Sequence, residues 1–115
     1  MGLGAASFVD TAAGRAALLA EVSRRIAGVA WLARVVVFGS WGRGEPRPDS
    51  DLDLMVVTDQ VGTLAERQAA IRSLLRGIGV PLDVVVYTRE EYERLRSWRS
   101  SVAGIADREG ILVHG

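Results

Sequence analysis

The stretch from Val35 to Val57, VVVFGSWGRGEPRPDSDLDLMVV, constrains this chain more than any other. It holds an apolar β-branched run, a Gly-Ser turn, a polar span, and a second apolar run that opens with Asp51 and Asp53. Strand residues alternate faces, so Asp51 and Asp53 share one side while Leu52 and Leu54 take the other. Two carboxylates about 6–7 Å apart at Cα repel each other unless a cation sits between them. Mg²⁺ suits the place, being hard, oxygen-seeking and usually held by a few carboxylates plus substrate phosphates. The other half of the stretch offers a seat for those phosphates. Val35–Phe38 reads as a buried strand, and Gly39 lets the backbone turn at once and lets a ligand approach closely. Ser40 reads as the N-cap of a short helix whose free N–H groups and positive end face an anion. Arg43, about one turn on, adds a forked, permanently charged contact to phosphate oxygens. Cradle and acidic pair on neighbouring elements describe a metal–nucleotide site.

Gly39-Ser40, then Arg43-Gly44, then Ser50-Asp51-Leu52-Asp53-Leu54 together resemble the signature of the nucleotidyltransferase superfamily that includes DNA polymerase beta. Within it the pattern is most similar to the minimal nucleotidyltransferases. The resemblance implies an α/β (α+β) nucleotidyltransferase fold, a small mixed three- to four-stranded sheet flanked by helices. The chain departs from the usual form at Trp41-Gly42, where a variable residue and Ala are common. Gly42 is expected to loosen the short helix by up to ~1 kcal/mol relative to Ala. Taken alone, Asp51 and Asp53 would also fit a polar strand edge facing solvent. The Gly-Ser pair at this separation favours the site.

A chain of 115 residues suits one small domain, here read as 1–115 with a loose lead-in over 1–9. No window approaches the ~20 uninterrupted apolar residues of a membrane span. The N-terminus lacks the pattern of a signal peptide. Without cysteine there is neither a disulfide nor a thiolate metal site, and a cytoplasmic protein fits. Fourteen basic residues, all arginine, balance 14 acids. That balance argues against a chain whose main work is coating nucleic acid.

Along the chain, Asp10 or Thr11 caps a helix to about Ala27 whose Leu18, Val22, Ile26 and Val29 form one apolar face. A strand at about Arg34–Phe38 follows. The span after Gly44 is a turn-rich loop in which Arg47 reads as a solvated surface residue. A second strand covers about Leu52–Thr58. A helix from Gly62-Thr63 to about Arg76 is long enough for a crossover, so the third strand, Leu82–Tyr87, can run parallel to the second. Asp83 is the single charge in that third strand, and burying it without purpose would be costly. Beside the second strand it would lie ~5 Å, Cβ to Cβ, from a cross-strand acid. A strand-entry acid at the sheet edge is the bland alternative. The resemblance implies that Asp83 is the third carboxylate of the site. Thr88 caps a helix containing Tyr92, Leu95 and Trp98, a shorter helix runs from Ser100 or Ser101 to Gly110, and Ile111–Val113 is a short apolar tail. Tyr92, Leu95, Trp98 and the tail either cover the sheet or dock a partner. His114, the single histidine, reads as incidental.

The resemblance then implies a chemistry. Asp51, Asp53 and Asp83 hold one or two Mg²⁺ ions, and Gly39, Ser40 and Arg43 hold the triphosphate of ATP. An acceptor hydroxyl attacks the α-phosphorus, and AMP is transferred. Larger relatives append a domain for the acceptor, so the acceptor here is expected on another polypeptide or on a second copy of the chain. Relatives of this size are commonly encoded with a HEPN-domain protein, as the antitoxin of a toxin–antitoxin pair, and some transfer AMP to a toxin tyrosine. Three readings therefore stand: a type VII-like antitoxin that adenylylates its HEPN-type partner, an antitoxin that neutralises by binding alone, and an aminoglycoside nucleotidyltransferase. Direct nucleic-acid or membrane binding is not expected.

Overall fold

The computed structural model describes residues 12–44, 51–59 and 62–115. The expected lead-in over 1–9, the cap at Asp10 or Thr11, and Arg47 lie outside the described residues. Helix α1 spans Ala12–Ile26, β1 Leu32–Phe38, the one-turn α2 Gly39–Gly42, β2 Leu52–Thr58 and α3 Leu64–Leu74. Strand β3 spans Leu82–Thr88, α4 Arg89–Leu95, α5 Val102–Glu109 and β4 Ile111–His114.

The strands form one mixed sheet in the order β3-β2-β1-β4. Strand β1 runs antiparallel to β2 and β4, while β2 and β3 are parallel. The parallel pair requires a crossover, and α3 provides it. Two of the helices start on reciprocal caps. Thr63 with Glu66 opens α3, and Thr88 with Glu91 opens α4, each side chain satisfying the other residue's N–H.

Strand alternation decides how the sheet is covered. On one face Val35, Val37, Leu54, Val56, Val84 and Val86 pack against Leu18, Val22 and Ile26 of α1 and Ile71 of α3. On the other, Val36, Met55 and Val57 pack under Tyr92 of α4 and Ala103 and Ala106 of α5. Each buried Val, Leu or Ile contributes roughly 1.5–3 kcal/mol, so both faces of β2 past Asp53 are held firmly. Asp53, Asp83 and Val85 lie on the α4/α5 face by alternation, but Asp53 and Val85 are only half-buried and Asp83 is exposed. The second layer of helices therefore stops short of the acidic end of the sheet and leaves a shelf there.

Three expectations change. Strand β1 starts at Leu32 rather than Arg34, because Leu32 is buried and pairs with Thr58. Trp98 does not belong to α4: Ser101 Oγ donates to the carbonyls of Leu95 at 2.7 Å and Trp98 at 2.8 Å, turning the chain and leaving Trp98 64% exposed. The apolar tail is a strand, β4, with Val36 opposite Leu112 and Val37 opposite Ile111. His114 has a structural contact there, its Nε2 lying 3.1 Å from the Leu32 carbonyl. No helix among the described residues is long and apolar enough to cross a membrane.

Candidate active site

Sheet register assembles the site. Asp53 is paired with Phe38 of β1 on one side and with Asp83 of β3 on the other. The Leu52 N–H donates to the Pro81 carbonyl at 2.8 Å, fixing the parallel register from its first residue. The two acids thus stand directly opposite each other. Asp51 lies just before β2 and is exposed. The pKa of Asp53 is pushed up, first by partial burial, then by the charges of Asp83 and Asp51 and by hydrogen bonding to Asp83; the Arg43 charge opposes the shift. Register thus places Asp53 opposite Asp83, while Asp51 lies two residues before Asp53, just outside the strand.

Gly39 continues directly from Phe38 with φ +67°, and a Cβ placed on it would lie 2.1 Å from Asp53 Oδ2. No side chain fits between the turn and the carboxylate. The close approach brings the backbone of the Gly-Ser turn against the central acid, so a ligand can touch both.

The cap of α2 differs from the expected one. The N-cap position belongs to Phe38, in extended backbone, and Ser40 lies inside the first turn. The chain turns at Gly39, whose φ is +67°, so the short helix opens there and Phe38 takes the N-cap position. Phenylalanine carries no acceptor, so the cap side chain satisfies none of the first N–H groups of α2. Arg43 forms the other end, its N–H donating to the Gly39 carbonyl at 3.0 Å, and its side chain is exposed.

Helix α2 is only four residues long, and isolated helices of that length do not persist. The Trp41 side chain, fully buried among α1 and sheet residues, pins its middle. Arg15 of α1 pins its end, its Nε donating to the Trp41 carbonyl at 2.9 Å. A cation at a helix C-terminus also meets the negative end of the dipole. The sequence offered little sign of this role, beyond an arginine whose place four residues on is taken by Leu19 instead of an acid. Gly42 corrects a second expectation. An added Cβ would lie 2.8 Å from the Val37 carbonyl and 3.6 Å from the Gly110 Cα. Glycine is favoured there because the Val37 carbonyl of β1 crowds the position, and helix propensity is the smaller effect.

Whether the donors suit a divalent cation can be judged from their chemistry. Carboxylate oxygens around a half-buried, mutually repelling centre match a hard ion. Among the described residues no three His, Cys, Asp or Glu side chains are placed so that together they could hold a metal ion, so Asp51, Asp53 and Asp83 do not form a three-ligand set by themselves. What the sheet offers is the Asp53–Asp83 pair, and Mg²⁺ is usually bound by one or two carboxylates with substrate phosphates completing its shell. The residues fit such an ion.

The structure thus brings together a half-covered mixed sheet, a Gly-Ser turn against a central acid and a facing acid from a parallel strand. In sequence comparison the nucleotidyltransferase domain model matches residues 17–108, and the chain belongs to that family of nucleotidyl-transferring enzymes. A Methanocaldococcus jannaschii protein named "Putative protein adenylyltransferase MJ0141" is 39% identical over 41 residues, which is 36% of this chain and 41% of that protein. The match thus spans about two-fifths of that relative's length. A crystal structure of a "putative nucleotidyltransferase" from Sulfolobus solfataricus superimposes with TM-score 0.57 at 20% identity, covering 97% of this chain and 87% of that one, a likeness of fold. A structure named "putative minimal nucleotidyltransferase" is 35% identical, with TM-score 0.48, over 86% of this chain and 88% of that one.

Proposed function

We propose that this protein transfers AMP from ATP to a hydroxyl of a partner protein, and that the partner's tyrosine in a HEPN-type toxin is the acceptor. The observation that carries the transfer chemistry is the pairing of Asp53 with Asp83 beside a glycine that admits no side chain. The name of the Methanocaldococcus jannaschii relative, a "Putative protein adenylyltransferase", supports AMP and a protein acceptor.

The N–H groups of Gly39 and Ser40, left without a side-chain cap, receive the β- and γ-phosphate oxygens. Arg43 balances part of their charge. Asp51 and Asp53, with Asp83 completing the set, would hold one or two Mg²⁺ ions once substrate phosphates supply the remaining ligands. When bound, Mg²⁺ offsets the charge that builds on the phosphate oxygens and the leaving pyrophosphate. Asp83, on the outermost strand and exposed, accepts the proton of the acceptor hydroxyl. The acceptor oxygen forms a bond to the α-phosphorus, the bond from that phosphorus to the bridging oxygen breaks, and pyrophosphate departs. Catalysis is chiefly positioning and charge balance. Cytoplasmic placement, where ATP and Mg²⁺ are plentiful, belongs to the same reading.

The test is incubation with ATP, Mg²⁺ and the product of the neighbouring gene. Label in the α-phosphate should appear on the partner and label in the γ-phosphate should not, and Asp53→Asn should abolish transfer. Neutralisation of the partner that survives Asp53→Asn, with no label transferred, would contradict the proposal and identify a binding antitoxin.

A further inference from the structure

We infer that the acceptor protein docks in a groove at the outer edge of β3 and presents an acidic segment with one apolar anchor. This inference rests on the transferase reading above and names how the same site finds its substrate. Strand β3 is the edge strand of the sheet on the Asp83 side, while the Gly39-Ser40 turn lies on the far side of Asp53. With nucleotide seated at the turn, the approach left to an acceptor is from the β3 side.

A groove of about 460 Å³ opens there, between the end of α3 and the start of β3. Its floor is Leu75, Ile78, Val80 and Leu82, and Arg72 and Arg76 form its rim. The volume holds a few side chains, which fits one anchor and its neighbours. Leu82 immediately precedes Asp83, so the groove ends one residue from the proposed proton acceptor. Neighbouring strand residues face opposite ways, and because β3 is an edge, an incoming segment can straddle it. It rests on Leu82's side and extends its hydroxyl to Asp83's side.

Two cations at this rim face no acid, a state that Arg15, Arg67, Arg94 and Arg99 share elsewhere among the described residues. Arg24, Arg25, Arg34, Arg89, Arg96 and Arg108 each lie beside a carboxylate. Arg72 and Arg76 have no carboxylate partner among the described residues; Arg72 donates to the Leu82 carbonyl at 3.2 Å. Two cations flanking an apolar floor complement an apolar residue bracketed by Asp or Glu. Such contacts govern encounter and register and weaken with salt.

Synthetic peptides carrying one tyrosine and one leucine, flanked by Glu or by Lys, would test this by fluorescence anisotropy at low salt, a readout independent of turnover. The Glu-flanked peptide should bind at least tenfold tighter, Arg76→Glu should erase that preference, and Arg76→Glu should improve binding of the Lys-flanked peptide. Arg76→Gln, with an unchanged melting temperature, separates loss of charge from loss of fold. Equal binding of the two peptides, no binding of either, or indifference to Arg76→Glu would overturn the inference. Binding of Mg²⁺ and ATP, measured on the same samples, reports separately on the transferase reading.

Discussion

At the level of single residues, Gly42 shows how far local propensity can mislead. Gly42 reads as a weak spot in a short helix, yet its Cβ position is occupied by the Val37 carbonyl at 2.8 Å. Gly42→Ala should therefore destabilise the protein, by about 1–3 kcal/mol as for other overpacked sites, where propensity alone predicts a gain of up to ~1 kcal/mol. A chemical denaturation curve decides the sign. Asp53 carries the opposite lesson. Its pKa is raised in the folded state, first by burial and then by its acidic neighbours. The folded form holds the proton more tightly than the unfolded chain, so this group favours folding at low pH. Its ionisation costs stability as pH rises through the window from the unfolded value to the folded one. Asp53→Asn should raise the melting temperature by a few degrees at neutral pH, on the scale of ~0.2–1 kcal/mol for opposed like charges. The gain should shrink below about pH 4, and transfer activity should vanish. Differential scanning calorimetry at both pH values checks it.

At the level of elements, the site depends on a helix that cannot stand by itself. Trp41 anchors α2 in the core and Arg15 ties down the Trp41 carbonyl. Arg15→Ala should leave the turn present but loosely placed. Losing one such hydrogen bond costs about 1–1.5 kcal/mol, which predicts roughly a tenfold rise in KM for ATP. The kcat should change much less, since the acids are untouched, and steady-state kinetics with varied ATP separates the two. The sequence made most elements legible because their signals are local. Thr63 and Thr88 announce helix starts through reciprocal Glu partners, and β2 ends where it was expected, at Thr58. What it concealed was tertiary. Phe38 takes the cap because the chain turns at Gly39, and Trp98 leaves α4 because Ser101 bonds the carbonyls of Leu95 and Trp98 just before it. The Ile111–His114 run becomes a strand because β1 has a free edge to offer.

At the scale of the whole molecule, the sheet is the device that converts sequence into chemistry. The Asp-x-Asp spacing announced two acids, but the meeting of Asp53 with Asp83 needed the parallel register of β2 and β3, which the crossover of α3 made expectable. The register then sets Asp53 between Phe38 and Asp83, and the helices on that face stop before reaching it. The open shelf is thus a product of where α4 and α5 pack. It could not be read from the motif itself. Calorimetric titration of Mg²⁺ with a non-hydrolysable α,β-methylene ATP analogue tests this arrangement most directly. Binding should require Mg²⁺, should be lost in Asp53→Asn, and should be lost in Gly39→Val, whose side chain would occupy the space beside the Asp53 carboxylate. Undiminished binding by both variants, or equal binding without a divalent ion, would contradict the account.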